Sequence, residues 1–135
     1  MTTLTGFHHV KLPVSDVARS RDWYGEVMGL RVDLEFVEDR VLRGVAMRAP
    51  DGGTCLAVRH DPARAAALAG FDPVSFAVPT LADLQDWQQR LDELGQVHGG
   101  IVAGHQGWAL VGLHDPDGIE VRLYTLPTSD RGEPR

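Results

Sequence analysis

The chain is written twice. Residues 7–24, FHHVKLPVSDVARSRDWY, return at 71–88 as FDPVSFAVPTLADLQDWQ. Phe7/Phe71, Val10/Val74, Val14/Val78, Ala18/Ala82, Asp22/Asp86 and Trp23/Trp87 are identical at a shift of 64. These are six matches in eighteen positions, where ordinary residue usage gives roughly one. A second echo follows: PDGGTCLA at 50–57 returns as PDGIEVRL at 116–123, a shift of 66. Two echoes in one order, at nearly one shift, indicate a structural unit duplicated in tandem. Two copies place matching strands about a pseudo-twofold axis, where a cleft is a natural ligand site.

Each copy reads strand, helix, then three strands. In the first, 7–14 alternates into a strand, and Ser15 or Asp16 is placed to cap a helix. Ser20, Trp23, Tyr24, Val27 and Met28 share a helical face, and Gly29 supplies the stop. Segments 31–37 and 41–49 form a hairpin around Glu38-Asp39-Arg40, and Pro50-Asp51-Gly52-Gly53 turns into a strand over 54–59. The first module spans 6–59, a linker helix opened by Pro62 spans 60–70, and the second module spans 71–126. In the second module, 74–78 is a strand and Thr80 with Asp83 resembles a capping box. Leu84, Trp87, Leu91 and Leu94 form the apolar stripe of its helix. Strands follow at 96–102, 108–113 and 119–125, and the tail 127–135 is polar and loose. The expected fold is α+β: a single domain of two βαβββ modules with curved mixed sheets and helices on the outer faces.

Charge and cysteine content exclude several roles. The formal charge is −6 and no basic cluster stands out, which argues against nucleic acid as a partner. The apolar runs are too short to span a bilayer, and no export signal is visible. The single cysteine, Cys55, has no internal partner for a disulfide, and a cytoplasmic location fits.

Strand parity predicts which residues line the hollow. Val10, Leu12 and Val14 meet the helix, so His9, Lys11 and Pro13 face the other way. The same rule exposes Pro73, Ser75 and Ala77, and along the last strand Glu120, Arg122 and Tyr124. Thr54, Leu56 and Val58 are their expected counterparts in the first copy, which leaves Cys55 on the helix side as a buried, inert thiol. Two such faces curved toward each other would enclose a cup.

The segments HVKLPVSDVARSRDWYGEVMGL (9–30), SFAVPTLADL (75–84) and HDPDGIEVRLYT (114–125) resemble the vicinal oxygen chelate superfamily. That group includes glyoxalase I, extradiol dioxygenases, fosfomycin-resistance enzymes and bleomycin-resistance proteins. The resemblance implies paired βαβββ units forming a cup, and commonly a homodimer. In its metal-using members it implies a divalent ion held by strand residues that the repeat relates pairwise. Here His9 fits the opening position. Its partner position holds Pro73, the closing position holds Arg122, and the first-copy counterpart of that position is Leu56. One imidazole does not hold a catalytic divalent ion, and a permanent cation repels one.

The resemblance and the residues together point to a metal-independent protein of the bleomycin-resistance type. It would bind a small aromatic or antibiotic-like molecule, with no cofactor. Leu56, Val58, Trp108 and Tyr124 supply apolar area, while His9, Lys11, Ser75, Glu120 and Arg122 supply polar contacts. Arg122 suits an anionic or phenolic group on the ligand, or an internal ion pair with Glu120. His105, in a glycine-flanked loop, can reach over the rim. The alternative is a metal-dependent lyase, isomerase or dioxygenase whose rearranged divalent site uses His9 and Glu120.

Overall fold

The computed structural model describes residues 1–127. Of the expected tail, all but Pro127 lies outside the described residues. Two compact units divide the chain, the first ending at Ala67 and the second starting at Leu68, within the linker helix. Among the described residues no helix is long and apolar enough to cross a membrane.

The first unit runs β1 (Val10–Val14), α1 (Val17–Glu26), β2 (Arg31–Glu38), β3 (Val41–Arg48), β4 (Cys55–His60) and α2 (Pro62–Leu68). Its sheet has the order β1-β4-β3-β2, parallel between β1 and β4 and antiparallel elsewhere. Asp16 caps α1, its carboxylate accepting from the Arg19 N–H at 3.0 Å. The helix lays Val17, Ser20 and Tyr24 against Leu12, Val45, Met47, Leu56 and Val58, all buried. An amphipathic helix and a half-apolar sheet each lose water only by covering the other. Trp23 sits at the margin, half-buried and edge-on to Tyr24 at 4.8 Å, rather than in the core as its spacing suggests. The β2–β3 hairpin turns on Asp39 and Arg40, both with positive φ (51° and 64°), which matches the twist of the strands it joins.

Ser20 carries a testable flaw. Its hydroxyl is fully buried on the helix–sheet interface without a hydrogen-bond partner among the described residues. A stranded buried hydroxyl costs on the order of 1 kcal/mol or more. Ser20→Ala should therefore stabilise the protein by about 1 kcal/mol, seen as a higher urea midpoint at unchanged slope.

The second unit runs β5 (Val74–Val78), α3 (Leu81–Glu93), β6 (Gly100–Gly104), β7 (Gly107–His114) and β8 (Glu120–Thr125), with sheet order β5-β8-β7-β6. Thr80 and Asp83 close a full capping box at the start of α3. Leu84 and Leu91 of α3 pack with Leu110, Leu113, Val121 and Leu123 as the core. Leu94 lies outside it, 43% exposed, because α3 ends there, and Trp87 is half-buried beneath Arg90. β6 starts later than expected. His98 instead ties the α3–β6 connection, its Nε2 at 2.6 Å from Asp92 while Nδ1 accepts from the Gly100 N–H.

β7 contains a bulge that decides what faces where. Leu110 pairs with Leu123 and Leu113 with Val121, so two residues, Val111 and Gly112, oppose one, Arg122. Leu110 and Leu113, three apart, thus share the helix-covered face.

Candidate functional site

One row of side chains runs along the uncovered face of β8: Glu120, Arg122 and Tyr124, spaced two apart. β5 lies parallel beside it and sets Ser75 next to Arg122 and Ala77 next to Tyr124. On the other flank β7 sets His114 opposite Glu120 and Ala109 opposite Tyr124. The bulge is what brings His114 to that position.

The row is bonded end to end. Arg122 Nε donates to Glu120 Oε2 at 2.6 Å, the same oxygen that accepts the Gly112 N–H at 3.0 Å. Arg122 Nε also lies 3.5 Å from Asp72 Oδ2, and Nη1 donates to the Tyr124 hydroxyl at 3.4 Å. The Glu120 side chain is 12% exposed, so its bond to Arg122 is partly shielded from water, while Asp72, 35% exposed, is more open. The Arg122 hydrogen bond, helped by the Gly112 N–H, holds the Glu120 carboxyl below its ordinary value of 4.5. Glu120, then Tyr124, raise the Arg122 guanidinium further above its already high range.

Tyr124 connects this row to a cavity of about 360 Å³. Its walls include Ser75, Ala77, Leu126 and the tip of the β6–β7 hairpin, His105 and Gln106. The volume falls in the small-molecule range. Gly104 keeps the space beside the Tyr124 ring clear: a Cβ there would touch the ring edge at 3.5 Å. His105, in its glycine-flanked loop, forms part of this wall. Gln106 and Leu126 gave no signal, because nothing in a polar loop or a strand end marks a wall residue.

Other expected site residues sit elsewhere. Leu56 and Val58 are corrected outright. They are 0% and 1% exposed and pair with Val10 and Leu12, so they belong to the α1-covered core. The uncovered face of β4 instead carries Cys55, Ala57 and Arg59, and Cys55 is half-buried there rather than beneath the helix. The reason is a one-residue difference between the copies. Gly52 matches Gly118 at a shift of 66, whereas Leu56 and Val121 hold the same register against Val10 and Val74, a shift of 65. One extra residue after the turn flips every side chain that follows. The counterpart of Arg122 is accordingly Ala57, which pairs with Lys11 as Arg122 pairs with Ser75.

Trp108 is corrected for a similar reason. It precedes Ala109, the partner of Tyr124, so it points to the helix side with Leu110, half-buried, its N–H bonded to Thr125 Oγ1 at 3.0 Å. His9 lies before β1 begins, exposed, with its ring edge-on to His8 and Nδ1 to Nδ1 at 3.0 Å. Lys11 is exposed on the uncovered face of the first sheet. Among the described residues no three His, Cys, Asp or Glu side chains converge as a metal-holding group. Pro73 brings no donor, and Glu120 is already bonded to a guanidinium.

The family model of the Glyoxalase/Bleomycin resistance protein/Dioxygenase superfamily matches residues 6–123. A glyoxylase/bleomycin resistance protein/dioxygenase domain from Frankia sp. EAN1pec shares the fold at TM-score 0.68 and 24% identity, over 91% of this chain and 98% of that one. TnmS3, an antibiotic binding protein from Streptomyces sp. CB03234, matches at TM-score 0.76 and 19% identity, over 95% and 100%. The fosfomycin resistance protein FosX from Listeria monocytogenes, solved with Mn(II) and 1S,2S-dihydroxypropylphosphonic acid, matches at 0.71 and 12%, over 96% and 97%. Identities this low establish a common fold. A search of curated proteins finds no match.

Proposed function

Because the chain belongs to the glyoxalase/bleomycin resistance protein/dioxygenase superfamily, we propose that it is a metal-independent small-molecule-binding protein of the bleomycin-resistance type. It sequesters an aromatic or antibiotic-like ligand and returns it unchanged. The observation that carries this reading is the 2.6 Å bond between Arg122 and Glu120. At the position where the family resemblance implies a closing metal ligand stands a guanidinium, and the nearest substitute carboxylate is bound to it. A catalytic divalent ion needs three or more nitrogen or oxygen donors, and Pro73 contributes none. The 360 Å³ cavity beside this pair supplies a place for an organic ligand, and the fold shared with an antibiotic binding protein agrees with that use.

A homodimer in the cytoplasm belongs to the same reading. Support for a dimer comes from β2, where Val32, Leu34, Phe36 and Val37 are 44%, 53%, 41% and 57% exposed. Sedimentation velocity tests it.

The function is tested by calorimetry against a panel of aromatic antibiotics, with mass spectrometry of the recovered ligand. One compound should bind stoichiometrically and come back intact. Ala77→Phe, an exposed position on the cavity wall, should fill the space and weaken binding by about tenfold or more. Stoichiometric Zn, Mn, Ni or Fe in protein purified without chelator, lost on His9→Ala, would overturn the proposal in favour of a metal-dependent lyase, isomerase or dioxygenase.

A further inference from the structure

An arginine beside a cavity ordinarily signals an anionic ligand, because its planar fork matches a carboxylate or phosphate. Arg122 does not stand in that condition. Two carboxylates face its one guanidinium: Glu120 at 2.6 Å and Asp72 at 3.5 Å from Nε. Two carboxylates against one guanidinium give these three side chains a formal charge of −1. An arriving anion enters a field of its own sign, with the Nε donor already held by an intramolecular carboxylate. The cavity itself has no carboxylate among its lining residues.

Tyr124 supplies a directional donor among the cavity's lining residues. Its hydroxyl oxygen accepts from Arg122 Nη1 at 3.4 Å. An oxygen engaged as acceptor still has its own proton to give. Among the described residues no acceptor takes that proton. The register partners of Tyr124 are Ala77 and Ala109, and the ring edge runs along Gly104. Half-buried Tyr124, with that donor unused, lines a cavity whose other walls include Ser75, Ala77, His105, Gln106 and Leu126.

We propose that this cavity takes a flat molecule without an anionic group, whose carbonyl oxygen accepts the Tyr124 hydroxyl proton, with Arg122 as the positioning residue for that hydroxyl. The inference rests on the proposed function, and it replaces the anionic ligand that Arg122 alone suggested.

The probes are 9-fluorenone, its carbonyl-free analogue fluorene, and fluorenone-2-carboxylate, each titrated against ¹⁵N-labelled full chain. The amides of Ser75, His105 and Tyr124 report the cavity. Fluorenone should bind about five- to tenfold tighter than fluorene, the worth of one hydrogen bond, and the carboxylate at least about tenfold weaker than fluorenone. Tyr124→Phe should abolish the ketone preference, and Arg122→Met should shrink it while fluorene still binds. The double variant Asp72→Asn, Glu120→Gln should relieve the exclusion of the carboxylate. A carboxylate bound as tightly as the ketone, or a ketone preference that survives Tyr124→Phe, would overturn this inference and leave the binding function standing. Three probes that move no cavity amide at millimolar concentration would overturn both.

Discussion

Gly112→Ala should cost about 3 kcal/mol of stability, the sum of a strained backbone and a clash with no route of escape. Gly112 sits in the β7 bulge at φ +76°, a conformation that alanine adopts at a cost of roughly 1–2 kcal/mol. A Cβ there would lie 2.7 Å from the Gly99 nitrogen and 3.1 Å from its Cα. Both are backbone atoms at the point where Gly99 donates to Val111 O at 2.7 Å, so the β6 end must move. That movement pulls the Gly112 N–H off Glu120 and weakens the pairing that lets Leu110 and Leu113 both face α3. Gly29→Ala is the control. Its φ is +73°, but nothing lies within 4 Å of the added carbon, so only the backbone cost of about 1 kcal/mol remains. Urea unfolding of the two variants side by side separates clash from strain. Equal losses would show that the close approach at Gly112 is unimportant.

Glu120→Gln should cost about 2 kcal/mol at neutral pH, since a shielded, charge-assisted bond is worth roughly 1.5–3 kcal/mol. Glutamine keeps an acceptor for Gly112 and loses the charge that faces Arg122. The pH dependence follows from the direction of the shift. The folded carboxyl is held below its ordinary value of 4.5, chiefly by the Arg122 hydrogen bond. The unfolded chain therefore takes up the proton first as pH falls. The stabilisation is complete above that ordinary value and is lost as pH drops through the folded one. Wild type and variant should thus differ by a constant amount between pH 8 and about 6, then converge in acid. Urea midpoints at neutral pH, near the ordinary value and well below it check this. A gap that persists in strong acid would mean that shape, not charge, sets the loss.

Much of the architecture was legible because local chemistry agreed with the global pattern. The tandem echo, the Asp16 cap, the Thr80/Asp83 box and the Glu120–Arg122–Tyr124 row all follow from short-range rules. In β8 polar and apolar residues alternate, so its two faces name themselves. In β4, Cys-Leu-Ala-Val offers no alternation. Its parity was borrowed from the other copy through the turn, and the extra residue at the start of β4 made that loan false. β7 hides its bulge in the same way, since Trp-Ala-Leu-Val-Gly-Leu reads as uniformly apolar. The cavity walls at Gln106 and Leu126 were illegible because a wall is a property of assembled neighbours, not of residue type.

That single additional residue ahead of β4 makes the halves non-interchangeable when matched by their turns. Transplanting 119–125 in place of 54–60, a shift of 65, keeps the strand register and sets Arg122 in the place of Ala57, beside Lys11, whereas aligning the copies by their turns, 120–126 in place of 54–60, would put Arg122 in the place of buried Leu56 beneath α1. Repeat proteins are commonly aligned by their turns. In this one, the strand pairing is the reliable ruler.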